Sequence, residues 1–370
     1  MGSSARLAFL LALSLGLIPK LSFSYPEMVR HGYANCIACH VGPNGGGLLT
    51  PYGRQLSQEV LSKWATPDES AFAYGGMKFP DWLNIGGDLR GVQTFLNNPK
   101  VQQGQFILMQ ADVEAAVQIE RWQIVGALGR QEPTTLNPAG GALMSRRHYV
   151  NYRPTDQLSF RAGRFQTAFG INTPDHILVT KRGLRWDEGS ETYNIEGAWL
   201  GEEIDTFVTA SFGRPDAPKL GLDTGVAVRS GVLLGERFKT GISYFYGSND
   251  SGKRHLIGPY GILGITPRFF VLVEIDFQNL LLASTESRWG AVDYLRFDYE
   301  VFRGGHLFLT QELARLDFNN PGNRTEAYGA GFQFFPRPHF ELIASFQKSR
   351  VLSVSTEFSD YGWFLVHYYL

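Results

Sequence analysis

Residues 107–120 read ILMQADVEAAVQIE, and this stretch decides the fold. Ile107, Met109, Ala111, Val113, Ala115, Val117 and Ile119 share one parity; Gln110, Asp112, Glu114, Ala116, Gln118 and Glu120 share the other. Side chains of a strand alternate between its faces, so this is a strand with one greasy and one wet side. Phe269, Val271, Val273, Ile275 and Phe277 repeat it against Glu274, Asp276 and Gln278. Leu295, Phe297, Tyr299 and Val301 do so against Arg296, Asp298 and Glu300. Tyr328, Ala330, Phe332 and Phe334, then Phe340, Leu342, Ala344 and Phe346, carry the pattern on.

Working outward, such segments centre near residues 88, 112, 125, 149, 162, 195, 208, 228, 242, 258, 272, 295, 309, 330, 343 and 366. Turn residues separate them. The expectation is a mainly β chain: an antiparallel outer-membrane barrel of about sixteen strands over residues 83–370, with about fourteen as the alternative. The segments near 149, 195 and 258 leave that choice open. The last residues, Trp363 to Leu370, are apolar on both faces and do not fix a register. Trp122, Trp186, Trp199, Trp289 and Trp363 are expected at strand ends, as interfacial girdles. Asp112, Glu114, Arg161, Arg164, Glu274, Asp276, Arg296, Asp298 and Glu300 are expected to face the lumen.

Composition agrees. Aromatics make up 14% and charged residues 19% of the 370 positions, with Gly at 42. Lys+Arg 34 against Asp+Glu 35 leaves a net charge of −1, which gives nucleic acid no basic face to bind. No per-blade repeat supports a propeller. A soluble sandwich would have to bury every apolar face of a very long strand array.

The first residues read as an address. Arg6 precedes an apolar run from Leu7 to Ile18, and Ser22-Phe23-Ser24 offers a cleavage site that makes Tyr25 the first mature residue. The run is too short to span a bilayer. Residues 1–24 are therefore expected to be a signal peptide, and the chain is expected to leave through the inner membrane for the outer membrane of a Gram-negative bacterium.

Both cysteines lie in Cys36-Ile37-Ala38-Cys39-His40, a CxxCH motif. Two thiols one short turn apart can each bond a vinyl group of one haem c, and the adjacent His40 then ligates the iron. A thioredoxin-type disulfide lacks its βαβ setting, and a zinc site lacks further thiols. Met28, His31 and Met77 are candidates for the second axial position. His31 is chemically the stronger, though it also reads as a solvated loop residue, and an open or water-ligated position is a further alternative. Val41 to Gly47 is turn-rich, and Gln55–Trp64 is expected to be a short helix with Leu56, Val60, Leu61 and Trp64 toward a porphyrin. Tyr52 and Arg54 are either partners of the haem propionates or a packed aromatic and an exposed charge. Residues 25–82 are thus expected to form a small monohaem segment that plugs or caps the barrel.

The CxxCH motif, the stretch Leu49-Thr50-Pro51-Tyr52-Gly53-Arg54 and the order of export signal, cytochrome and barrel resemble the fused monohaem cytochrome–porins of the outer membrane. Characterised members of that family are iron oxidases. The resemblance implies an Fe(II):cytochrome c type of oxidoreductase: electrons from an extracellular donor, Fe(II), reach a single haem held by Cys36, Cys39 and His40, and pass to a periplasmic c-type cytochrome. A diffusion porin with a structural or gating haem segment, or a conduit exporting electrons to an external acceptor, uses the same parts.

Overall fold

The computed structural model describes residues 26–69, 71–131, 143–187, 189–283 and 286–370. The export signal expected over residues 1–24, and Tyr25 after it, lie outside these. In chain order the strands are β1 Leu83–Asn97, β2 Gln102–Ile119, β3 Trp122–Gln131, β4 Leu143–Met144, β5 His148–Tyr152, β6 Leu158–Phe165, β7 Thr192–Leu200, β8 Ile204–Phe212 and β9 Thr224–Leu234. They continue as β10 Phe238–Asn249, β11 Gly252–Gly264, β12 Phe269–Leu282, β13 Ser287–Phe302, β14 Gly305–Arg315, β15 Thr325–Phe334, β16 Phe340–Val351 and β17 Ser359–Tyr369. Each pairs antiparallel with its neighbours, and β1 closes on β17 with Asp88 opposite Tyr369.

A closed ring in which every pair is antiparallel needs an even number of staves. Here β4 and β5 both pair with β3, Met144 opposite Gly129 and His148 opposite Gly126. Four steps on one side face three on the other, which is a β-bulge, so the two pieces form one stave. Among the described residues the barrel therefore has sixteen staves, and every expected strand centre falls inside one of the observed strands.

The outer surface explains why the chain needs lipid. Val113, Ile124, Leu128, Ile195, Val208, Ile242, Phe277, Leu309 and Phe346 are all exposed. On a soluble protein so continuous an apolar band would be an aggregation site; around a closed barrel it is a lipid-facing belt. This is an outer-membrane barrel. Trp122, Trp199 and Trp289 are exposed near strand ends, as girdles require. Trp186 and Trp363 depart from that expectation. Trp186 is buried on a loop and stacks on Phe169 at 5.5 Å, and Trp363 lines the lumen.

The opening stretch also holds a correction. Arg90 lies opposite Gln110 but the next residue, Gly91, lies opposite Leu108, so Met109 is bulged out of register. A one-residue slip moves side chains to the other face. Phe106 is thereby exposed to lipid, and Ile107 and Met109 turn into the lumen.

Inside, the expected charges are present, and among the described residues all but the neighbouring carboxylates Glu274 and Asp276 sit in ion pairs. Asp112 meets Arg146 at 2.6 Å, Glu114 meets Arg147 at 3.0 Å, Arg161 meets Glu196 at 2.6 Å and Arg164 meets Glu191 at 3.4 Å. Pairing is what makes buried charge tolerable. One barrel end carries short turns, 120–121, 201–203, 235–237 and 303–304; the other carries longer connections, including 213–223 and 316–324. Short turns mark the periplasmic rim and long loops the cell surface.

The longest connection runs between β6 and β7, and its described residues 166–187 and 189–191 fold into the lumen. Gly170 donates its N–H to Ser243 at 2.9 Å, Ile171 to Glu274 at 2.8 Å and Val179 to Glu312 at 2.8 Å. Gly170 has φ +59°, and a Cβ there would collide with the Glu274 carboxylate. Only glycine satisfies both demands.

Candidate functional site

The CxxCH motif forms one tight turn. Cys36–Ala38 is a 3-10 turn, and the N–H groups of Cys39 and His40 both donate to the Cys36 carbonyl, at 3.2 and 3.0 Å. The chain then doubles back. Val41 N–H donates to Leu48 at 3.0 Å, Thr50 N–H to Cys39 at 2.8 Å, and Thr50 Oγ1 to Ala38 at 3.0 Å. At the tip, Gly45, Gly46 and Gly47 all have positive φ. A Cβ on Gly47 would sit 2.7 Å from both Arg147 and Glu114, so the tip can lie this close to the wall only without side chains.

A helical stretch follows, earlier than expected. It runs Pro51–Leu56 and continues over Ser57–Leu61, because Thr50 caps it by accepting from Gly53 N–H at 3.1 Å and Pro51 occupies the first turn. Ser62 closes it by donating to Ser57 at 2.7 Å. Trp64 lies beyond the end, exposed, with its ring edge on Phe334.

The segment 26–64 touches the ring on all sides. Arg30 pairs with Glu300 at 3.1 Å, Asn35 donates to the Gly201 carbonyl at 2.6 Å, and Lys239 donates to the Ala34 carbonyl at 2.5 Å. Arg229 bonds Asn44, Leu48 N–H donates to Glu114 at 3.2 Å, and Ser57 bonds the Tyr369 hydroxyl at 3.0 Å. Lys63 N–H donates to Phe335 at 2.8 Å, at a short-turn rim.

The sequence-derived site residues part into two groups. Cys36 and His40 line an internal cavity of about 230 Å³ together with Arg90, Arg146, Arg147 and Arg161. Cys39, fully buried, packs on the other side of the turn with Met28, Tyr33, Leu56, Leu61 and Phe335. Burial pushes both thiols up, so both are protonated at neutral pH. His31 sits in the turn Pro26–His31; burial, helped by Arg30, Arg237 and His306, lowers its imidazole to about 4 and keeps it neutral at pH 7. Among the described residues it does not line the cavity beside His40. Tyr52 is exposed and shares a hydrogen bond of 3.2 Å with Tyr33. Arg54 is buried, donating to Asn84 at 2.7 Å and to the Ile85 carbonyl, and so docks the helix on β1. Met28 is buried beside Cys39, whereas Met77 is exposed.

The structure adds residues that the sequence did not single out. His176 and His367 line the same cavity as His40. His176 Nδ1 lies 2.7 Å from Asp187, and His367 bridges Glu341 and Asp88 at 2.8 and 2.9 Å. Arg161 lies over the Phe165 ring at 3.8 Å, which holds its charge at the cavity wall. Among the described residues no three His, Cys, Asp or Glu side chains converge as a metal cage.

The donor set fits a haem c. Two thiols share one turn and the following imidazole faces a cavity lined by Arg90, Arg146, Arg147 and Arg161 with Tyr149 and Phe165, while Cys39 faces away from that cavity, so a haem bonded to both thiols requires the turn to reorient.

Fold and lumen together define an outer-membrane porin-type barrel. No protein-family model matches the sequence, and neither does any curated protein. Solved structures do resemble it. OmpT of Vibrio cholerae with loop L8 deleted superimposes with a TM-score of 0.63 at 12% identity, covering 78% of this chain and 99% of the other. The outer-membrane channel DcaP of Acinetobacter baumannii gives 0.58 at 11%, covering 80% and 99%. An anion-selective porin from Comamonas acidovorans gives 0.59 at 9%, covering 78% and 99%. At such identities the likeness is one of fold.

Proposed function

We propose that this chain is an outer-membrane electron conduit, a cytochrome–porin in which the segment 25–82 carries one covalent haem c and its residues 26–64 plug the short-turn end of the lumen. The observation that carries the reading is the joint position of Cys36 and His40 on an internal cavity wall faced by four arginines. Cys36 and Cys39 would hold the group covalently and His40 would ligate its iron; when bound, a haem c supplies reversible one-electron exchange. Arg90, Arg146, Arg147 and Arg161 would offer its carboxylates donors beside those that Arg146, Arg147 and Arg161 already give Asp112, Glu114 and Glu196. The Met28–Tyr33–Leu56–Leu61 cluster keeps water from Cys39. His31, in a turn packed against β11, remains a candidate second ligand. The donor proposed is extracellular Fe(II), oxidised to Fe(III), and the electron released reduces a periplasmic c-type cytochrome.

The test is an anaerobic haem spectrum of outer membranes containing the protein, before and after Fe(II). Prompt reduced c-type bands are expected. Bands that appear only with a strong reductant would remove Fe(II) as the donor, and no c-type bands at all would remove the haem.

A second reading, a diffusion porin, is favoured by the channel and porin neighbours and by a lumen cavity of about 530 Å³. Steady ion conductance of the intact chain in a planar bilayer supports it; a poorly conducting chain supports the conduit.

A further inference from the structure

We propose that the lumen also holds a binding site for an uncharged, mainly apolar small molecule, separate from the CxxCH turn. A barrel lumen is ordinarily polar. Here the bulge at Met109 turns Ile107 inward, and the ladders then set Ile107 opposite Val92, Val92 opposite Leu365, and Leu365 opposite Ile343. Four adjacent strands thus present one in-register apolar row to the interior, with Met109 and Trp363 beside it. The row forms one wall of the cavity of about 530 Å³, and the inward loop, through Ile177 and Leu178, forms part of the facing wall. That volume lies within the range of small-molecule sites.

The electrostatics select a neutral occupant. The wall carries Arg90, Arg182 and Arg296 against Asp175, Glu312 and Glu341, three of each sign. These charges are largely engaged already. Arg296 meets Asp298 at 2.5 Å, Arg182 meets Asp187 at 3.3 Å, and Glu341 accepts from Gln333 at 2.5 Å. An entering anion would shed water and find Arg182 and Arg296 already in ion pairs, and an entering cation would find Glu341 engaged by Gln333 and His367 and Glu312 accepting from Val179 and Gln347. A neutral ring with one hydroxyl would lose little: its apolar body meets the row, and its hydroxyl can reach Thr310, Ser345 or Tyr294.

The experiment uses the full chain in lipid nanodiscs, with p-cresol as the neutral probe and benzoate as a charged one on the same ring. Saturation-transfer NMR reads the ligand, so haem content does not enter the result. Saturable p-cresol binding is expected, with benzoate about tenfold weaker or worse, because a buried charge without a partner is heavily penalised. Ile343→Asn with Leu365→Asn should weaken p-cresol by about tenfold, the loss expected for removing apolar contacts. Heat-dependent gel mobility checks that this barrel has formed; if it has not, Ile107→Ser on the opposite side of the row should give about a threefold loss. Non-saturable p-cresol binding, equal affinity in the variants, or benzoate binding as tightly as p-cresol would each overturn the proposal.

Discussion

Two stretches that are not strands occupy this barrel, and they are held in different ways. The segment 26–64 is tied around the ring, to Glu300, Gly201, Lys239, Arg229, Glu114 and Tyr369 in turn. The loop 166–191 is tied mainly to one side, through Ser243, Glu274 and Glu312 on β10, β12 and β14. The difference shows why one end of the lumen is crowded while an open cavity survives beside β16, β17, β1 and β2. A segment fixed at many points is a stopper; a loop fixed along one wall is a partition.

The largest effect tests what the first stretch carries. Replacing Cys36 and Cys39 with Ala should abolish the haem-stained band of the denatured protein while the barrel still shows heat-dependent gel mobility. Next comes conductance. Deleting residues 26–64 should raise single-channel current several-fold, and more than deleting 172–186 does; the reverse ranking would break the distinction between stopper and partition.

Smaller effects sharpen it. Glu114→Ala strands the Arg147 guanidinium and removes the acceptor for Leu48 N–H, so it should cost about 3 kcal/mol in denaturant unfolding. Gly170→Ala, forced into a left-handed conformation against Glu274, should cost about 1–3 kcal/mol by the same assay. Lys348→Ala removes the exposed pair with Asp360 and the ammonium over the Phe346 ring, and should cost less than about 1 kcal/mol.

What could be read from the sequence follows from the range of the forces involved. Alternation is local, so most staves announce themselves, while the ragged pattern near 149, 195 and 258 left fourteen beside sixteen until the ladders decided it. A bulge is one residue long and leaves no mark in a pattern of period two, which is why Ile107 and Met109 were expected to face lipid. Trp186 and Trp363 look like girdle residues until the loop and the ring place them inside. The CxxCH turn is legible because its chemistry is adjacent in sequence. Its arginine surround is not: Arg90 lies on β1, Arg146 and Arg147 in the bulged link between β4 and β5, and Arg161 on β6, and only the curvature of the staves from β1 to β6 brings them to Cys36. Arg54 was read either as reaching a propionate or as exposed, and its burial against Asn84 belongs to neither picture.

The closing ladder between β1 and β17 sets an order of events. Tyr369 cannot pair with Asp88 until the last strand has been delivered, so the ring is the final thing made. The segment that begins near Pro26 is by then already synthesised and exported, waiting on the periplasmic side. Any group joined to Cys36 and Cys39 is either installed before the staves meet or must pass a rim narrowed by Lys63, Phe335 and Arg303. Assembly is thus a matter of closing a container around its contents, and the cell's timing of attachment and insertion is part of what the structure requires.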